Sequence, residues 1–250
     1  MTRALVSVLV VTGATAMAQP LKAQLETVST KRVLFAHQSV GMNVLAGLEV
    51  LAKEEGVSLT VKEFTPGAPL SPGLTHFFVG ENEHPAGKLE HFAATLEKTP
   101  GVELAVLKLC YVDISADTDV TALFAKYQVT HAALKAKFPS VEFVHVTAPL
   151  TVVQTGLKAF AKKLTGSAPW GARENVKRHQ FNELLRKTYG STRLFDLAAV
   201  ESTGADACTF ERDGKTWPCL RSSWTDDGGH LNATGQRAVA RAFVEALTTR

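Results

Sequence analysis

The feature that most constrains this chain is an alternation of short apolar runs with longer amphipathic stretches. Val33-Leu34-Phe35-Ala36 is an uninterrupted apolar run that breaks at His37-Gln38-Ser39-Val40-Gly41. A helical stripe of Val44, Leu45, Leu48 and Leu51 follows. Ser58 to Phe64 alternates as a second strand, and Thr65 to His84, with Pro66, Gly67, Pro69, Pro72, Gly73 and Gly80, reads as a long loop. Pro85 suits the first turn of a helix to about Lys98. Glu103 to Cys110, Val141 to Thr147 and Arg193 to Phe195 read as further strands. Helices between them carry Leu123, Tyr127, Leu134 and Phe138, then Val176, Phe181, Leu184 and Leu185. After a looser crossing at Thr165 to Gly171 and an irregular stretch from Glu201 to Gly229, a last helix is capped by Asn232 or Thr234. Apolar strands spaced by amphipathic helices predict a parallel sheet covered on both faces, hence one three-layer α/β domain of about five strands over residues 19–250. In such sheets ligands bind at the carboxyl ends of the strands, so the turns after each strand are where chemistry is expected.

The first 18 residues do not belong to that pattern. Arg3 gives a positive start, Ala4 to Thr12 is mostly apolar, and Ala16-Met17-Ala18 is a small-x-small site before Gln19-Pro20. This reads as a secretory signal peptide cleaved after Ala18, its apolar run being too short for a membrane span. A soluble protein in the periplasm or outside the cell is therefore expected, with no membrane span after cleavage. Cysteine usage agrees with export. Of the 3 cysteines, Cys208 and Cys219 flank a Gly-containing turn and read as a disulfide, while Cys110 ends an apolar run as a small buried hydrophobe. Lys and Arg number 27 against 24 Asp and Glu, scattered without a basic run, so no nucleic-acid partner is expected.

Three positions carry the chemistry. Ser39 stands at the turn after the first strand, where the start of a helix favours developing negative charge, although a plain capping role fits there too. His230 and Asp227 lie in Asp227-Gly228-Gly229-His230, just before the last helix. A serine hydroxyl needs a base to take its proton, and the base needs a carboxylate to fix its tautomer. Two glycines between Asp and His let that loop fold back on itself. His76, His84 and His91 lack the spacing of a metal site, and neither metal nor cofactor is expected. Asn232-Ala233-Thr234 is a formal glycosylation sequon in a capping position, and Asp117 and Asp119 read as an acidic helix start. Trp170, Trp217 and Trp224 lie in expected loops, where they either pack or line a sugar site.

A serine after the first strand and D-x-x-H before the last helix resemble the SGNH (GDSL-like) hydrolases, a group of esterases, lipases and carbohydrate O-acetyl hydrolases or transferases. Val33 to Gly41 matches the first block, with His37 and Gln38 where the family usually has Gly and Asp. The third block, usually G-x-N-D, reads Cys110-Tyr111-Val112-Asp113, with Val112 in place of the Asn. The resemblance implies a sheet in flavodoxin-like order and Ser39 as nucleophile. It implies His230 as general base and acid, and Asp227 as the group that orients it. The N–H groups of Ser39 and Gly80 (Gly87 being the second candidate) are implied as oxyanion donors. Asn82 is the substitute for the missing amide, ahead of Asn43 and Gln38. A small acyl ester, such as an acetyl ester of a carbohydrate, is the implied substrate. An O-acyltransferase and a non-catalytic envelope or carbohydrate-binding protein are the alternatives.

Overall fold

The computed structural model describes residues 19–154, 169–191 and 193–249. The expected signal peptide, residues 1–18, lies outside the described residues, as does most of the expected loop between Thr165 and Gly171. Six strands form a wholly parallel sheet: β1 (Arg32–His37), β2 (Val61–Glu63), β3 (Gly73–Phe78), β4 (Leu104–Leu107), β5 (Glu142–Val146) and β6 (Leu194–Phe195). Their order across the sheet is β2-β3-β1-β4-β5-β6. Two-residue periodicity sorts each central strand onto both faces. Val33, Phe35, Leu104 and Val106 point to one core, and Leu34, Ala36, Ala105 and Leu107 to the other. The first core is covered by α1 (Leu21–Thr30), α2 (Ser39–Glu54), α6 (Leu197–Ser202) and α7 (Ala233–Thr248). The second is covered by α3 (Pro85–Glu97), α4 (Val120–Lys137) and α5 (Ala172–Tyr189).

The three-layer expectation holds, with two corrections. The stretch read as one long loop contains β3, and β3 rather than the 58–64 segment is the neighbour of β1, in register from Arg32 opposite Gly73 to His37 opposite Phe78. The flanking Pro72, Gly73 and Gly80 hid the run Leu74 to Val79. The residues expected to form the second strand contribute only the three-residue edge β2. Without that edge, the order is the flavodoxin-like one. The irregular stretch from Glu201 to Gly229 contains an antiparallel hairpin, β7 (Cys208–Arg212) and β8 (Lys215–Cys219), closed by the Cys208–Cys219 disulfide. Cys110 is free and buried. Asn232 caps α7 by accepting from the Gly235 N–H, and Asp119 caps α4 in the same way through Ala122. Among the described residues no helix is long and apolar enough to cross a membrane.

One helix pair decides where the two ends of the chain meet. A Cβ at Gly47 would lie 2.1 Å from the carbonyl oxygen of Gln236, so only glycine lets α2 and α7 approach this closely. The start of α2 and the loop before α7 are thereby brought to the same rim of the sheet.

Candidate active site

With Gln38 at the N-cap position, Ser39 is the first helical residue of α2, directly beyond β1. Its backbone N–H belongs to the first turn, which has no acceptor within the helix. The turn is held from beneath. His37 Nδ1 lies 2.9 Å from the Gln38 carbonyl, which can only accept, so this nitrogen carries the proton and Nε2 accepts from His76 Nδ1 at 3.1 Å. Burial, reinforced by the nearby Lys108, lowers the His37 pKa to about 3 against the opposing effect of the Gln38 hydrogen bond, so the ring stays neutral. The Gln38 carbonyl also accepts the Gly41 N–H at 2.7 Å. The Gln38 side-chain amide donates to the carbonyls of Val79 (3.0 Å) and Gly80 (2.8 Å), tying the turn after β1 to the turn after β3.

On the other side, the loop before α7 folds back as its glycines suggest. Gly228 has φ of 92°, a backbone shape that favours glycine. The Asp227 carboxylate accepts from the N–H groups of Gly229 (2.9 Å) and His230 (2.8 Å) with one oxygen, and from His230 Nδ1 at 2.6 Å with the other. Partial burial opposes its charge, but the hydrogen bonds from His230 and the two backbone donors outweigh it and hold the carboxyl well below the usual range. Asn43 of α2 accepts the Leu231 N–H at 3.0 Å, fastening the loop to the helix that begins with Ser39. His230 Nε2 then stands 2.9 Å from Ser39 Oγ, across 191 positions of sequence. With Nδ1 committed as donor to the carboxylate, Nε2 is the acceptor, and the serine hydroxyl donates to it. This chain of serine, imidazole and carboxylate can remove the serine proton as Oγ attacks a carbonyl carbon.

The residues expected to bind an oxyanion are placed less simply. Gly80 does lie in the turn after β3, but its N–H donates to His91 Nδ1 at 2.8 Å and is not free. The side-chain oxygen of Asn82 accepts from Lys88 Nζ at 2.9 Å, which leaves its NH₂ as a possible donor. Gly87 is inside α3, while Gln38 and Asn43 hold structure as described above.

Two groups with no role expected from the sequence shape this rim. Lys88 and Asp113 form an ion pair at 2.7 Å with both side chains 0% exposed. Asp113 also accepts the N–H groups of Cys110 (2.6 Å) and Glu83 (3.0 Å), so the pair locks the loop after β3 to the short helical turn Tyr111–Asp113 after β4. The signal was present: Lys88 falls on the stripe of Phe92 and Leu96 in α3, where a solvated lysine does not belong. Tyr111 is the second. Its ring meets His230 edge-on at 5.9 Å, and a Cβ at Gly229 would lie 2.9 Å from it. Its carbonyl accepts from Arg178 Nε at 2.9 Å, and the guanidinium lies over its ring. The three histidines considered as metal ligands do not converge. His76 binds His37, His91 binds Gly80, and His84 precedes α3. Among the described residues no group of three or more His, Cys, Asp or Glu could hold a metal ion.

No protein-family model matches the chain, and no curated protein matches it in sequence. Solved structures do match in fold. TesA aligns with TM-score 0.50 and 12% identity over 86% of this chain and 97% of its own. The periplasmic domain of a lipopolysaccharide acetyltransferase from Salmonella ser. Paratyphi A gives 0.48 and 12% over 93% and 90%. An acetyl esterase gives 0.47 and 12% over 86% and 94%. The fold of this chain is the SGNH-hydrolase one, and at 12% identity the likeness shows the fold alone.

Proposed function

We propose that this protein is an exported serine esterase that cleaves small acyl esters, with an acetyl ester of a carbohydrate as the preferred substrate. The observation that carries the reading is the 2.9 Å contact between His230 Nε2 and Ser39 Oγ, backed by Asp227 at 2.6 Å from the other ring nitrogen. Ser39 Oγ bonds to the ester carbonyl carbon while its proton passes to His230 Nε2. The oxyanion is bound by the Ser39 N–H and the Asn82 NH₂, with the Gly80 N–H available once it releases His91. Collapse breaks the bond to the alcohol, which leaves with the proton from His230. Water then repeats the sequence on the acyl-serine, giving a carboxylic acid and free Ser39. Export rests on the amino-terminal signal pattern, and the Cys208–Cys219 bond is compatible with an oxidising compartment.

The test is turnover of p-nitrophenyl acetate by the wild type, Ser39→Ala and His230→Ala. The reading expects a loss of about a thousandfold or more in each variant. Equal rates in all three would remove the enzymatic reading and leave a non-catalytic binding protein, whereas acyl transfer to an added sugar in preference to water would make the protein an O-acyltransferase.

A further inference from the structure

A cavity of about 610 Å³ opens between the turn after β4 and the start of α5, lined among others by Glu83, Tyr111, Trp170, Glu174 and Arg178. Ser39, Asp227 and His230 do not line it, but two of its lining residues reach their loop. Tyr111 touches His230 and Gly229, and Trp170 packs 3.3 Å from where a Cβ on Gly228 would stand. The mechanism described above uses none of these side chains.

We propose that this cavity receives the alcohol half of the ester, and that the alcohol is an uncharged sugar; the proposal rests on the esterase reading and adds where and how its leaving group is recognised. Trp170 is 50% exposed, a broad aromatic face left open to solvent. Such a face suits the apolar C–H side of a pyranose ring, which carries hydroxyls only around its rim. The polar groups are of the matching kind. Arg178 is 4% exposed. Its Nε and Nη1 are committed to the Tyr111 carbonyl, Thr151 and Asn175. Its Nη2 has no hydrogen bond to the described residues and remains a donor. The carboxylates of Glu83 and Glu174 likewise make no hydrogen bond with the described residues and are acceptors. Burial raises the pKa of Tyr111, with the charge of Asp227 adding to the effect, so its hydroxyl stays protonated as a further donor. Donors and acceptors interleaved around an aromatic platform satisfy hydroxyl groups, each of which gives one hydrogen and takes others.

Charge decides between kinds of sugar. Asp113 in the wall is already neutralised by Lys88. Two carboxylates then face a single guanidinium, so the cavity disfavours a uronic acid or a phosphorylated sugar. A long acyl chain fits no better, because these carboxylates and the guanidinium would lose water without gaining a partner.

The test compares three acetyl esters: p-nitrophenyl acetate, a mono-O-acetylated methyl glucoside and a mono-O-acetylated methyl glucuronide. The proposal expects the glucoside to exceed the glucuronide in kcat/KM by about tenfold or more. Trp170→Ala, and separately Glu174→Gln, should each lower kcat/KM for the glucoside at least about fivefold more than for the aryl ester, mainly through KM. Equal losses on both esters, a preference for the glucuronide, or faster turnover of p-nitrophenyl octanoate than of any acetylated sugar would each overturn it. Ser39-dependent turnover of the aryl ester without these differences overturns the sugar site alone. Turnover indifferent to Ser39→Ala overturns the esterase reading and the sugar site with it.

Discussion

Two carboxylates at the same rim of the sheet, Asp113 with Lys88 and Asp227 with His230, could hardly be treated more differently. Lys88 and Asp113 are both wholly buried, whereas His230 and Asp227 are 39% and 57% exposed. A buried pair is held by the low dielectric around it, and removing either partner strands the other charge. An exposed pair contributes little to stability but can exchange a proton with substrate and solvent. The first pair fastens the turns after β3 and β4 to each other. The second is placed by hydrogen bonds from its own loop and stays open to solvent. In the proposed mechanism the loose pair does the chemistry, at a rim whose turns the tight pair ties together.

The contrast can be broken from either side. The largest effect is expected from Asp227→Asn, which removes the carboxylate that fixes the imidazole: kcat on p-nitrophenyl acetate should fall about ten-thousandfold. Urea unfolding of the same variant should shift by less than about 1 kcal/mol. Asp113→Asn is expected to do the reverse, lowering stability by about 3–5 kcal/mol in that measurement, because Lys88 is left charged and buried. A loss of activity without a loss of stability in this variant would erase the distinction between the pairs.

A third region bounds the comparison. Reducing the Cys208–Cys219 bond, or replacing both cysteines by serine, should lower stability by about 3 kcal/mol through the freedom regained by the short loop between them. Esterase activity of the folded protein should persist, since the hairpin lies outside the Ser39–His230 contact. Assaying activity below the lowered Tm separates the two effects.

The smallest effect concerns Glu201, a third wholly buried charge-bearing group, whose pKa burial raises from 4.5 to about 8 against the pull of the Leu150 N–H, Lys108 and Arg178. Between those two values the folded chain keeps a proton that the unfolded chain releases, so this group makes stability fall as pH rises from about 4.5 to about 8. Glu201→Gln keeps an acceptor for the Leu150 N–H, at 2.7 Å. It should flatten that part of the Tm-against-pH curve relative to wild type. Parallel curves would show that Glu201 is not a proton reservoir.

The layered architecture was legible because Val33 to Ala36 and Leu104 to Leu107 are short runs, apolar on consecutive residues, as strands buried on both faces are. Strand β3 was not, because glycine and proline at its borders are local signals while its place beside β1 is decided by long-range pairing. Helix α1 was overlooked for a related reason: four residues, Leu21, Gln24, Leu25 and Val28, make its buried stripe, and one of them is polar. At the candidate site, Ser39, Asp227 and His230 could be read from residue type and spacing, and the structure brings them within hydrogen-bond distance. The oxyanion donors could not. Whether the N–H of Gly80 is free depends on His91, one helix away, and whether Asn82 offers its NH₂ depends on Lys88. Such commitments are made by side chains meeting in space and leave no periodic trace along the chain.

If Ser39 is a nucleophile activated by His230, covalent labelling with a fluorophosphonate followed by peptide mass spectrometry should find one phosphonyl group on Ser39 of the wild type and none on the His230→Ala variant under the same exposure. A protein left unlabelled, or labelled at another residue while Ser39 stays untouched, would rule that role out.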